Sequence, residues 1–214
     1  MWYRLVKMKL KTISICLFFI IIGWNCNAKT FSTAEHPKSK GIELNIEYPD
    51  HWIFASGKRP NTLATFTSDY NNETTDYSNA VCVLTIKEFT DAEELLERTP
   101  TKSDWEEIIV YIKDNTAIEF FESTYQNAKV LSSKMTYFDK QPGFIAEGTG
   151  LAVRAGQEMY AHGNIYFFGY ENKVIAISCN AYAFTQETAD KRFEIEKQNF
   201  AFVANSIIVM NQYK

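Results

Sequence analysis

Histidine and cysteine are scarce in this chain, with three and four residues among 214. His36 falls in a polar stretch that reads as solvated, and His51 sits beside Asp50 in a turn. Only His162 lies inside a predicted strand. No CxxC pair and no His/Cys cluster occurs, so neither a zinc ribbon nor a dithiol redox centre is encoded. A Gly-x-Ser-x-Gly nucleophile elbow is missing too. The glycine-bearing run "GTGLAVRAG" (148–156) lacks the GxxxxGK[ST] spacing of a phosphate loop, and its glycines fit bulges or close helix packing instead. Positive charge is not in excess. The formal net charge is −4, with no basic stripe, which excludes a nucleic-acid binder and disfavours anionic membrane surfaces.

What is present is an ordinary globular composition, 46% hydrophobic and 22% charged, without internal repeats or low-complexity tracts. The length suits one domain. Residues 1–28 differ from the rest. Arg4, Lys7, Lys9 and Lys11 precede the apolar run "ISICLFFIII" (13–22), and "NCNA" (25–28) follows. That is the layout of a signal peptide, with Cys26 and Ala28 at positions −3 and −1 of a cut. The run is short for a bilayer of about 30 Å. A lipoprotein cut before Cys26 is the alternative, and only that route would put the chain on a membrane. Removing the four positive charges leaves a mature chain near −4 − 4 = −8. Its localisation is expected to be periplasmic or secreted.

Two cysteines remain after such a cut, Cys82 and Cys179, both in predicted strands. Export permits a disulfide between them, but two buried free thiols fit the sequence equally well.

Residues 29–40 are expected to form a flexible lead-in, and 41–214 a single domain. "IELNIEY" (42–48) alternates as a half-buried strand and ends at Pro49-Asp50, with Trp52 beyond the turn. "LATFT" (63–67) and "AVCVLTIKEF" (80–89) are further strands, separated by a polar loop over 68–79. Thr90 and Glu93 fit a capping box for a short helix through Glu97. Ser103 and Glu106 fit another, opening an amphipathic helix with Trp105, Ile108, Ile109 and Ile112 on one face. It is expected to run to about Asn115, with a second piece reaching Tyr125. Four consecutive strands follow from Ala128 to Tyr182, joined by short turns that suit antiparallel neighbours. Thr185 or Thr188 then caps a last helix bearing Phe193, Phe200 and Val203, and "SIIVM" (206–210) closes as a strand.

In the hairpin "NIYFFGYENKVIAISCNAY" (164–182) neither face is polar. Ile165 and Phe167 oppose Tyr166, Phe168 and Tyr170, while Ile175, Ile177 and Cys179 oppose Val174, Ala176 and Ser178. An antiparallel sheet with one wet face would alternate cleanly. These strands therefore need cover on both faces. The fold expected is α+β, an α/β/α sandwich around a mainly antiparallel twisted sheet.

The element order, together with Tyr48-Pro49 and Trp52 at the front and "ANSIIV" (204–209) at the back, resembles the PsbP-like group. That group joins extrinsic thylakoid-lumen proteins of photosystem II, periplasmic DcrB-type proteins and a Ran-binding nuclear import factor. The resemblance spans nearly all of the mature chain and implies an exported accessory or adaptor domain without catalysis. Fold alone does not assign a partner.

The expected function is thus a non-enzymatic binding module engaging another envelope or secreted protein through a sheet edge or acidic loops, with no cofactor. An alternative is a carrier of a small apolar or lipid-like ligand held by Tyr160, Tyr166 and Phe168. A hydrolase or metal site built on His162 with Glu147 or Glu158 is a third. The acidic pairs Glu93-Glu94 and Glu106-Glu107 read as solvated helix faces.

Overall fold

Alternation and capping shape the domain seen in a computed structural model, which describes residues 28–68, 77–89, 98–154 and 156–214. The expected leader, apart from Ala28, lies outside the described residues, as do the short helix expected over 90–97 and most of the 68–79 loop.

Seven strands form the main sheet: β3 (Ile53–Ser56), β4 (Thr62–Thr67), β5 (Ser78–Glu88), β6 (Gln126–Phe138), β7 (Gln141–Arg154), β8 (Gln157–Tyr170) and β9 (Lys173–Ala183). Their order is β3-β4-β5-β9-β8-β7-β6, and every neighbouring pair is antiparallel. The last four form the meander expected from the period-two pattern. The β6–β7 turn carries positive φ at Asp139 and Lys140 (44° and 68°), the backbone sign pattern whose twist matches a two-residue hairpin. A second sheet of β1 (Ala28–Ser32), β2 (Leu44–Pro49) and β10 (Ile208–Val209) has the order β1-β2-β10.

Two helices complete the described elements, α1 (Lys102–Thr124) and α2 (Gln186–Asn205). The capping box of α1 is Thr101 with Asp104, two residues before the expected Ser103/Glu106 pair. Asp104 Oδ2 accepts from the Thr101 N–H at 2.7 Å, and Arg98 Nη1 grips the same carboxylate at 2.7 Å. Those bonds hold the Asp104 carboxyl well below the usual carboxylate range, the Arg98 hydrogen bond most of all. They also explain why the earlier of two sequence registers wins. The helix then runs unbroken to Thr124, where two pieces were expected.

Each face of the main sheet carries one of these two helices. On one, Trp105, Ile109, Ala117 and Phe121 of α1 pack over Phe144, Ala146, Ile165 and Phe167. Gly148 and Gly150 lie directly beneath α1, where a Cβ would come within 2.7 Å of the Phe121 ring and 2.5 Å of Tyr125. On the opposite face, Phe193, Phe200 and Val203 of α2 meet Tyr166, Phe168, Ile175 and Ile177. Here the roof is shared. Leu44, Ile46 and Val209 of the small sheet join the same core, an element that the expected helical cover left out.

Trp52 is buried against Phe200, their rings 6.2 Å apart, under the turn that Pro49 begins. Part of the expected lead-in is ordered: β1 pairs residue for residue with β2 from Ala28↔Pro49 to Ser32↔Asn45. The expected closing strand shrinks to β10, and Met210–Tyr213 turn as a 3-10 helix. At the sheet centre Cys82 and Cys179 stand opposite each other across β5 and β9, Cα atoms 4.0 Å apart, joined by a disulfide. Such closeness suits a non-hydrogen-bonded antiparallel pair.

Candidate functional site

Residues 160, 162, 164, 166 and 168 share one face of β8 by strand alternation, the face that α2 covers. Along this row the surroundings change from open to sealed. Phe168 is fully buried against Phe138, ring centroids 5.4 Å apart. Tyr166 is buried as well and accepts a hydrogen bond from Asn164 Nδ2 at 3.2 Å. Burial pushes its phenol up to about 12. Both rings pack into the core, away from the Tyr160 end of the row, and Tyr166 borders a separate recess of about 250 Å³ with Glu147 and Asn164. Tyr160 and His162, at the other end of the row, reach the edge of α2 and open onto a groove.

His162 joins three elements. Its Nδ1 lies 2.7 Å from Asp190 Oδ1 on α2, and its Nε2 lies 3.1 Å from Glu147 Oε1 on β7. The ring stacks on Phe193 with centroids 3.8 Å apart and planes 7° from parallel. Of the two glutamates that sequence offered, the structure selects Glu147; Glu158 is exposed, in register with Val153. Asp190 was not anticipated. It comes from a helix 28 residues away, and only the α2-on-sheet packing brings it to the imidazole.

This arrangement has a chemical consequence. A histidine acting as a general base needs one ring nitrogen free for the reacting proton. Here both face carboxylates. The two carboxylates also approach diverging ring atoms, and among the described residues no group of three His, Cys, Asp or Glu side chains is placed to hold a metal ion. Together the three side chains form a strut-like bridge between β8, β7 and the first turns of α2.

Beside the strut lies an open groove of about 440 Å³. Its floor is Thr149 and Leu151 of β7 with Tyr160 of β8, and one wall is Asn127, Lys129 and Leu131 of β6. Gln186 and Asp190 of α2 form the other wall. A second cleft, of about 420 Å³, lies on the opposite sheet face, between α1 and β5/β9. Ile165, Phe167, Val174 and Ala176 line it, with Lys87 and Glu119 at its rim.

The outer side of α1 is unusual for a solvated helix. Tyr111 is 84% exposed, Val110 62% and Ile118 43%. Tyr111 and Ile118 are seven residues apart and so share a face, opposite the Trp105/Ile109 stripe. Six acidic residues and two lysines occur along the helix, and the exposed Glu107, Asp114 and Glu122 lie three or four residues from Tyr111 and Ile118 and so alternate with them on that face.

No family model matches the chain, and no curated protein matches it by sequence. Solved structures do. The chain is similar to cyanobacterial PsbP from Synechocystis sp. PCC 6803 at a TM-score of 0.50 and 15% identity, over 86% of this chain and 93% of that one. Further similarity is found to LpqN, involved in cell envelope biogenesis of Mycobacterium tuberculosis (TM-score 0.47, 10% identity, 86% and 91% covered). The Ran-binding protein Mog1p of Saccharomyces cerevisiae is also similar (TM-score 0.48, 13% identity, 86% and 96% covered). The chain therefore has the PsbP fold, as its sequence resemblance implied; at these identities the likeness is one of fold.

Proposed function

We propose that this chain is a non-enzymatic binding module of the cell envelope that docks another protein onto the outer face of α1. One observation carries the reading: on the side turned away from its own sheet α1 exposes Tyr111 and Ile118, alternating with Glu107, Asp114 and Glu122, and no described residue covers them. Tyr111 and Ile118 supply the apolar contacts, with Val110 to one side, and Glu107 and Glu122 stand exposed on the same face beside the Lys113–Asp114 ion pair. The partner is accordingly a protein surface on which apolar and basic groups alternate. This places the contact on a helix, where a sheet edge or acidic loops were expected from sequence. The leader-like residues 1–28 and the Cys82–Cys179 bridge support an extracytoplasmic setting. Among the described residues no helix is long and apolar enough to cross a membrane.

A photo-crosslinking residue at position 111, expressed in the native host, tests the proposal. The expected product is a discrete adduct with one protein, lost in Ile118→Glu and formed with a salt-sensitive affinity. An adduct consisting of two copies of this chain, or none, overturns it.

Carriage of a small apolar ligand is favoured by a single observation, the 420 Å³ cleft floored by Ile165, Phe167, Val174 and Ala176. Its size falls in the range of ligand pockets. Native mass spectrometry that releases no apolar small molecule from the purified protein removes this second reading.

A further inference from the structure

Four side chains around the 440 Å³ groove share a property. Asn127, Thr149, Tyr160 and Gln186 each carry a group that both donates and accepts hydrogen bonds, and none makes a side-chain hydrogen bond to another described residue. They come from four different elements and converge on one space. Between them lie Leu131 and Leu151, and Tyr160 is 37% exposed.

The groove's charge is close to balanced. Lys129 is cationic and forms no ion pair among the described residues, while the Asp190 carboxylate already faces His162 through one oxygen. An anion would meet Asp190, and a cation would meet Lys129. A ligand that suits this lining is uncharged and rich in groups that donate and accept at once. It also needs a flat apolar side to lie on Tyr160, Leu131 and Leu151. Hydroxyls around a ring with an exposed C–H face meet all of these requirements.

We infer that this groove binds a neutral saccharide. Tyr160 is the platform for the C–H face of a pyranose ring, with Leu131 and Leu151 extending the apolar floor. Asn127, Thr149 and Gln186 pair with ring hydroxyls, and the free oxygen of Asp190 accepts from one more. His162 is a positioning residue: it fixes Asp190, and with it the α2 wall, at one distance from the β7 floor. The volume accommodates one or two sugar rings and falls within the usual range for small-ligand clefts. The site lies apart from the outer face of α1 and does not depend on the protein-docking role proposed for it.

Isothermal titration of the purified protein against maltotriose, cellotriose and N,N′,N″-triacetylchitotriose, in low and high salt, tests the inference. At least one is expected to bind saturably with an affinity that salt does not change, since no ion pair forms. Tyr160→Ala is expected to weaken it tenfold or more and Tyr160→Phe by less than about threefold, because the ring does most of the binding. Tyr111→Glu, on the far face of α1, leaves binding intact, which separates this site from the docking surface. Circular dichroism establishes that each variant is folded. No saturable binding by any of the three up to roughly 10 mM overturns the inference, and so does a folded Tyr160→Ala that binds like the parent.

Discussion

The indole of Trp105 occupies the space where residue 169 would carry a side chain. A Cβ on Gly169 would lie 2.0 Å from Trp105 Cδ2, and the indole Nε1 donates to the Glu171 carbonyl at 2.8 Å. The first turn of α1 is thereby fixed over the β8–β9 hairpin by shape and by one directional bond. Gly169→Ala must displace an indole held by that bond and by Phe89, whose ring centroid is 5.2 Å away. The expected loss is about 3 kcal/mol, in the overpacking range, read as a lower urea midpoint with an unchanged slope. A midpoint within experimental scatter of the parent would show that Trp105 is free to move.

The Cys82–Cys179 bridge closes a loop across 97 residues of sequence separation at the sheet centre. By the chain-entropy account a loop of that length contributes about 4–5 kcal/mol. Cys82→Ala/Cys179→Ala is expected to lower stability by roughly this amount, and dithiothreitol should lower the parent to a similar level. Equal unfolding midpoints with and without reductant would count against a structural role for the bridge.

Much of this architecture is written in local pattern. Leu44, Ile46 and Tyr48 alternate inward on β2 as their spacing requires, and the meander follows from two apolar faces and short turns. Elements without that signal were illegible. All four residues of β3 are exposed, so no alternation marks it, and β1 shows only Phe31 turned toward the core. The length of α1 was obscured because "DNT" (114–116) looks like a break and Val110, Tyr111 and Ile118 disturb the amphipathic stripe. That disturbance is itself the mark of the outer surface. Around the groove and His162, the residues Tyr160, His162 and Glu147 were visible as neighbours in the meander. Asp190 and Gln186 arrive through tertiary packing, and no spacing announces them.

Tyr166 should give the domain an alkaline limit. Burial raises its phenol to about 12, against about 10 in an unfolded chain. The folded state thus holds this proton more tightly than the unfolded state does. The associated stability is complete below about pH 10 and is lost as pH rises through about 12, amounting to roughly 3 kcal/mol. Urea midpoints measured from about pH 9 upward should fall for the parent more steeply than for Tyr166→Phe, which cannot ionise. Parallel curves would assign the alkaline limit to other groups.

His162 provides the most specific test of how α2 is held. Asp190 and Glu147 bind the same imidazole from different elements, so neither bond is independent of the other. Removing the ring takes away both bonds and the stacking on Phe193, leaving two half-exposed carboxylates that water can resolvate. The net cost expected for His162→Ala is therefore moderate, about 2 kcal/mol, below the sum of two charge-assisted bonds in a dry interior. Hydrogen exchange should accelerate in the first turns of α2, around Asp190, while α1 and the Trp105 contact remain protected. A double-mutant cycle of Glu147→Ala with Asp190→Ala should be non-additive by about 0.5 kcal/mol or more, because each loss changes what the shared ring can do for the other partner. Additive losses together with unchanged exchange in α2 would mean that the three side chains are merely adjacent, and that α2 is held by apolar contacts such as those of Phe193, Phe200 and Val203.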